Sequence, residues 1–275
     1  MFIRKKLWLG LSAAIATSTA FSATAQAQAS EDPHAGMNHS SMSTASTMSA
    51  MFAEGGEGGE GNVSAETVIN SDAAYLTQLA LMRGHLNVGL DLYRSGVQQA
   101  AATHMKHPED ELYAALVPGF EARGAQSFAN ELGALAKVIE NHGSVEEADA
   151  AYENVLRAIG SAEEAAGPVD AATLGQVIHG LVQTAAKEFD IAIDKGVVVN
   201  AHEYQDALGF VRVAQDMATE LANLTDKTDV VDDIRAQLDA IAPIWPGVVP
   251  PERLETDPAV LYGTAARIEL AALAL

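Results

Sequence analysis

Apolar residues return every three or four positions through most of the chain, the spacing that gives a helix one buried face. From Asp72 the pattern runs through Leu76, Leu79, Leu86, Leu90, Tyr93 and Val97 and predicts one long helix reaching about residue 104. Ahead of it, Ser64-Ala65-Glu66-Thr67 has the form of an N-cap and an acidic first turn, so order is expected to begin there. Pro108 suits the first position of a new short helix, with His107 pushed towards an extended backbone and Pro118-Gly119 as the stop. Further helices are predicted over about 120–141, 145–165, 170–195, 200–224, 227–241 and 257–273, with Asn141-His142-Gly143, Gly167-Pro168 and Gly196 as punctuation. Pro243, Pro246, Pro250 and Pro251 read as an extended linker before the last helix. The β-branched run Val197-Val198-Val199 is short enough to read as a turn. The fold class is all-α, a helical bundle of about seven or eight helices occupying residues 63–275.

In front of residue 63 the helical pattern stops, in two different ways. Met1-Phe2-Ile3-Arg4-Lys5-Lys6 is a basic head, an apolar run follows from Leu7 to about Ala16, and small residues end in Ala25-Gln26-Ala27-Gln28-Ala29. These are the three parts of a secretory signal peptide over residues 1–29, cut after Ala27 or Ala29. The apolar run is shorter than the ~20 residues that cross a bilayer. The exported chain is therefore expected in a periplasm, with no membrane insertion after signal cleavage. Residues 30–62 are Ser, Thr, Gly, Glu, Met and His, ending in Glu54-Gly-Gly-Glu-Gly-Gly-Glu-Gly61. So few bulky apolar groups cannot offset the entropy of ordering, and the segment reads as a disordered N-terminal arm.

Charge narrows the partners. The formal net charge is −21, and loss of Arg4, Lys5 and Lys6 with the leader takes it to −24. Such a surface repels phosphate backbones, which excludes nucleic acid, and it attracts cations and basic partners. The chain has no cysteine, so neither disulfides nor thiolate metal sites are available. No catalytic signature is present: no Gly-x-Ser-x-Gly elbow, no His-Glu-x-x-His, no phosphate loop, and, within the helical part, no His three residues after a Glu as a di-iron bundle would need.

What remains is metal chemistry. Four of the eight methionines and two of the eight histidines fall between residues 34 and 51: His34, Met37, His39, Met42, Met48 and Met51. Thioether sulfur and imidazole are soft to borderline ligands, and thioethers select Cu(I) over hard cations. The arm has no core for methionine to fill, so packing does not explain it. The run Met37-Asn38-His39-Ser40-Ser41-Met42 resembles the Met/His-rich segments of periplasmic copper-resistance and copper-carrier proteins. That resemblance implies copper as the ion, with His34, Met37, His39 and Met42 as the nearer ligands and Met48 and Met51 outlying.

The helical part offers a second set. His104, His107, Glu109, Asp110 and Glu111 crowd one helix junction, and His104, His107 and Glu111 together suit iron, zinc or Cu²⁺. The three acids also suit the positive end of a helix without any ion. On an unbroken helix His85 stands roughly 30 Å from His104 at ~1.5 Å per residue, so the two share an ion only if the helix breaks, for example at Gly96. His202 and Glu203 open a later helix behind the N-cap Asn200, and can face His85 across the bundle to complete a site. His142 suits a helix C-terminus, and His179 lies on a partly apolar face.

The all-α build, Gly84-His85 on an early helix and Asn200-Ala201-His202-Glu203-Tyr204 on a later one resemble helical periplasmic domains of bacterial iron uptake. These are the imelysin/EfeO-like group and the exported domain fused to some iron permeases. The first group's Gly-x-His-x-x-Glu motif has Val88 here in place of its Glu. The resemblance implies exported metal handling, with a membrane metal transporter or another periplasmic protein as partner. The expected function is a periplasmic carrier of copper or iron, or an accessory to metal uptake or tolerance. A His/carboxylate metalloenzyme and a metal-free helical scaffold are the alternatives.

Overall fold

Ser64 starts the first helix as its spacing predicts, its hydroxyl accepting from the Thr67 N–H at 3.1 Å. The computed structural model describes residues 63–275, apart from the side chains of His107, Glu109, Asp110 and Glu111. Ten α-helices lie among the described residues. They are α1 Ala65–Asn70, α2 Asp72–Arg94, α3 Gln98–His107, α4 Ala114–Arg123, α5 Ala129–Glu140, α6 Val145–Glu164, α7 Ala171–Ala192, α8 Ala201–Leu221, α9 Thr228–Ile241 and α10 Ala259–Ala272. None is long and apolar enough to cross a membrane.

The all-α class holds, and the helix count rises because several expected elements are divided. The expected long helix over 72–104 breaks after Arg94. Gly96 takes φ +79°, its N–H returns to the Tyr93 carbonyl, and the Val97 N–H returns to Leu92, which closes α2 with a glycine C-cap. The chain then doubles back as α3. His107 ends α3 in helical conformation and is not extended. Pro108 has no N–H to return to the preceding turn, and the chain widens into a π-helical turn, Pro108–Tyr113, without breaking. Pro118 is carried inside α4, whose stop is Gly124 at φ +66°. The expected turn at Val197 is a small hairpin, β1 Ile193–Asp194 against β2 Val197–Val198, with Ile193 opposite Val198.

Helix α2 is the axis of the core. The spacing predicts one apolar face, but the helix is buried on nearly every side, and Leu79, Met82, Leu86, Val88 and Leu92 are inaccessible to solvent. It packs on α3, α6, α7 and α8. The hairpin folds α7 back against α8, and α10 covers α7 and α9 through Leu261, Ala265 and Ile268. The proline-rich segment after α9 is tied to the start of α8. The Trp245 indole N–H donates to the Tyr204 carbonyl at 3.1 Å and the Tyr204 hydroxyl to the Gly247 carbonyl at 2.9 Å. Burial pushes the Tyr204 phenol up to about 12, so it remains a donor at any physiological pH.

Two helix glycines have no such packing role. A Cβ on Gly133 in α5 or Gly160 in α6 would meet nothing within 4 Å. Gly160→Ala is expected to raise stability by roughly 0.5–1 kcal/mol through helix propensity, read as a higher urea midpoint at unchanged slope.

Candidate metal centre

Two glycines bring α2 and α8 into backbone contact. A Cβ on Gly209 would lie 2.4 Å from the Gly84 carbonyl oxygen, and one on Gly84 would lie 2.5 Å from the Phe210 ring. His85 follows the first glycine and Asp206 precedes the second by one turn, so the closest crossing in this part of the bundle sets these side chains face to face. Gly89, one turn beyond His85, does the same for α3: a Cβ there would lie 3.1 Å from the His104 Cβ. The break at Gly96 returns α3 along α2, and the His85 and His104 rings end 6.3 Å apart instead of the 30 Å of an unbroken helix.

The three side chains converge on one point. His85 Nδ1 is 2.6 Å and His104 Nδ1 3.0 Å from Asp206 Oδ1, and all three side chains are wholly buried. One donor atom from each lies within 4.8 Å of the others. These are ion-pair contacts in geometry, because neither Asp206 oxygen and not His104 Nδ1 makes a hydrogen bond of normal angle. His202 lies one helical turn before Asp206, with Nε2 3.3 Å from Oδ2 and its ring stacked on His104 at 4.1 Å. Phe210 packs edge-on against His85 at 5.1 Å.

Gln205 fixes how His104 is protonated. Its Nε2 donates to the Val248 carbonyl at 3.1 Å, which can only accept, so its Oε1 is the atom 2.8 Å from His104 Nε2. That oxygen can only accept too, and His104 Nε2 must carry the proton. In a neutral His104 the lone pair is then on Nδ1, aimed at a carboxylate oxygen 3.0 Å away. Two lone pairs at that distance repel unless a cation, a proton or a metal ion, lies between them. A ring nitrogen held by an outer hydrogen bond while the other faces the ion is how metal-ligating histidines are oriented.

Electrostatics point the same way. Burial pushes the Asp206 carboxyl up, but the charges of His85 and His104 and their close polar contacts outweigh it and hold the group well below the usual carboxylate range. With the imidazoles protonated, Asp206 is thus an anion balanced by their charge, and a metal ion in place of the protons would meet the same anion. Two imidazoles and a carboxylate suit iron and zinc, and a two-His, one-carboxylate set leaves coordination positions open on iron(II). Neighbouring donors around an ion at ~2.1 Å are about 3 Å apart in octahedral geometry, close to the spacing here.

Other predicted positions fall elsewhere. Glu203 accepts from the Asn200 side chain at 3.4 Å and serves the cap of α8. His107 and Glu111 belong to the end of α3 and the π-helical turn, and their side chains lie outside the described set. His34, Met37, His39, Met42, Met48 and Met51 lie outside the described residues. His142 ends α5 with φ +53°. His179 faces Glu269 at 3.9 Å, and burial holds its imidazole below the ordinary value. The sequence reading missed Asp206 and Gln205. Asp206 stands four residues after His202, which puts both on one helical face.

Comparison with known proteins adds one finding. Residues 168–273, less than half of the chain, match the family model of the iron permease-associated 4-helix bundle domain. The match runs from just before α7 to the end of α10 and so takes in four helices. Of the two groups that the sequence resembles, it falls on the iron permease-associated one. No curated protein and no solved structure matches the chain.

Proposed function

We propose that this protein is an exported metal-binding protein of an iron-uptake system, in which His85, His104 and Asp206 hold the ion as cargo. The observation that carries the reading is the buried convergence of two imidazole nitrogens on one carboxylate oxygen, with Gln205 turning His104 Nδ1 inward. Imidazole and carboxylate donors favour iron or zinc over Cu(I) at this position, and the match to an iron permease-associated domain favours iron. The signal-peptide pattern of residues 1–29 supports export to a periplasm, where a membrane iron permease is the natural recipient of the ion. The Met/His arm keeps its reading as a soft-ligand segment, where copper is the natural ion, separate from the buried set.

The test is metal counting on protein purified from a periplasmic fraction, with and without residues 30–62. Each form is loaded in turn with Fe²⁺ without oxygen, Fe³⁺, Zn²⁺ and Cu(I), desalted and assayed by elemental analysis. One iron per chain is expected in both forms, and its loss is expected in His104→Ala. Uptake of Cu(I) alone, abolished by removing residues 30–62, would transfer the function to the arm. No uptake at micromolar metal in either form would leave a metal-free scaffold whose buried His and Asp serve only packing.

A further inference from the structure

The inner set leaves one polar contact unused. Asp206 presents its two oxygens to different histidines. Oδ1 meets His85 and His104, and Oδ2 meets His202 at 3.3 Å. His202 also differs from the others in exposure: its side chain is 23% accessible, while those of His85, His104 and Asp206 are at 0%. Its ring lies parallel to His104, inclined by 21°, so that a continuous imidazole and carboxylate surface runs from solvent to the buried point.

We infer that His202 Nε2 and Asp206 Oδ2 form an outer station, which a divalent cation crosses beneath the partly exposed His202 ring on its way to the inner position, with the Asp206 carboxylate bridging the two. This rests on the reading of the inner set as a cargo centre. A cation that sheds water in an apolar core without replacement ligands meets a prohibitive barrier. The other sides of the cluster are filled by packed groups. Phe210 closes the side of His85, and Met105 with the Gly89 backbone closes one side of His104. The link from Gln205 to the Val248 carbonyl closes another. The approach past His202 has a partly exposed ring at its mouth and two covered donor atoms directly beneath it. Asn200 accepts from the His202 and Glu203 N–H groups, which fixes the backbone of the outer station while the ring retains solvent contact. The N-terminal end of α8 carries the positive end of the helix dipole and disfavours a cation resting there. That suits a station that is crossed and not permanently occupied.

A group that acts only along the way in and out changes both rates and leaves the equilibrium alone. Full-length exported protein and its His202→Gln and His202→Ala variants are loaded with Fe²⁺ without oxygen in a stopped-flow instrument. Release to a competing chelator is then followed, with Kd measured separately and thermal melting as the check on folding. Both variants are expected to load and release about tenfold more slowly, one barrier increment of that size, with Kd unchanged. His104→Ala, by contrast, is expected to lose affinity. A Kd raised 10–100-fold in the His202 variants, the loss typical of a group supporting a resident ion, overturns the outer station. So does faster loading in His202→Ala, which makes His202 a plug, and so do rates equal to wild type. If the wild-type chain takes up no Fe²⁺ at all, the cargo centre itself falls and the outer station with it, an outcome distinct from the other three.

Discussion

Asp206→Asn is expected to abolish iron loading and to destabilise the metal-free fold by about 3–5 kcal/mol, the range for removing one member of a buried charge group. The side chain keeps its size, so no cavity forms. What changes is that two buried imidazoles lose the anion they face, and a neutral amide oxygen is a much weaker ligand for iron than a carboxylate. Urea unfolding at neutral pH gives the stability change, and elemental analysis gives the loading. The pH dependence separates charge from shape. The Asp206 carboxyl sits below its ordinary value in the folded chain, so its contribution is complete above the unfolded value of ~3.9 and is lost as pH falls below that towards the folded one. The stability gap between wild type and Asp206→Asn is therefore expected to narrow as the pH is lowered below about 4. A gap that stays constant down to pH ~3 would show that something other than the carboxylate charge is responsible.

Periodicity made the bundle legible and left the site half-hidden, for a reason visible at two points. Leu76, Leu79, Leu86 and Leu90 announce α2, because burying an apolar face needs only local spacing. The end of α2 is written in one residue, Gly96, whose left-handed φ is invisible to periodicity when apolar residues resume beyond it. Everything about the site follows from that turn, since it decides whether His85 and His104 are neighbours or 30 Å apart. The pairing of Gly84 with Gly209 is likewise a long-range fact. Each glycine alone reads as a weak point in a helix, and only their juxtaposition makes them a crossing. The proline break expected at His107 failed for a different cause, because a π-helical turn absorbs the missing N–H.

The division of the site along the chain carries a further consequence. Residues 168–273, which match the iron permease-associated domain, contain His202, Gln205 and Asp206, but the two inner imidazoles come from α2 and α3. The four matched helices supply the anion and the outer histidine. The N-terminal helices supply the two imidazoles that enclose that anion. On the proposed reading, metal affinity and the docking of α2 on α8 are coupled: an ion held across the two would stabilise their crossing, and anything that loosens the crossing would weaken the ion's hold.

Gly209→Ala tests that coupling directly and is expected to have the second largest effect. The added methyl would lie 2.4 Å from the Gly84 carbonyl oxygen and 2.8 Å from its carbonyl carbon, both backbone atoms in the middle of a buried helix. Neither can rotate away, so α2 and α8 must separate. Overpacking of this kind costs roughly 1–3 kcal/mol and occasionally more, against which the helix propensity gained by replacing glycine is at most ~1 kcal/mol. Gly84→Ala is expected to cost less, since its nearest obstacle is the Phe210 ring, a side chain with some freedom to turn. Separation of the two helices also pulls Asp206 from His85, whose contact of 2.6 Å exists only at this crossing. Iron affinity is therefore expected to fall with stability in Gly209→Ala, while Gly160→Ala gains stability and leaves affinity alone. If Gly209→Ala melts lower yet binds iron as tightly as wild type, the crossing holds the fold but does not set the ligand geometry. The ion would then have to be held by side chains able to follow each other across a widened gap, which three wholly buried groups are badly placed to do.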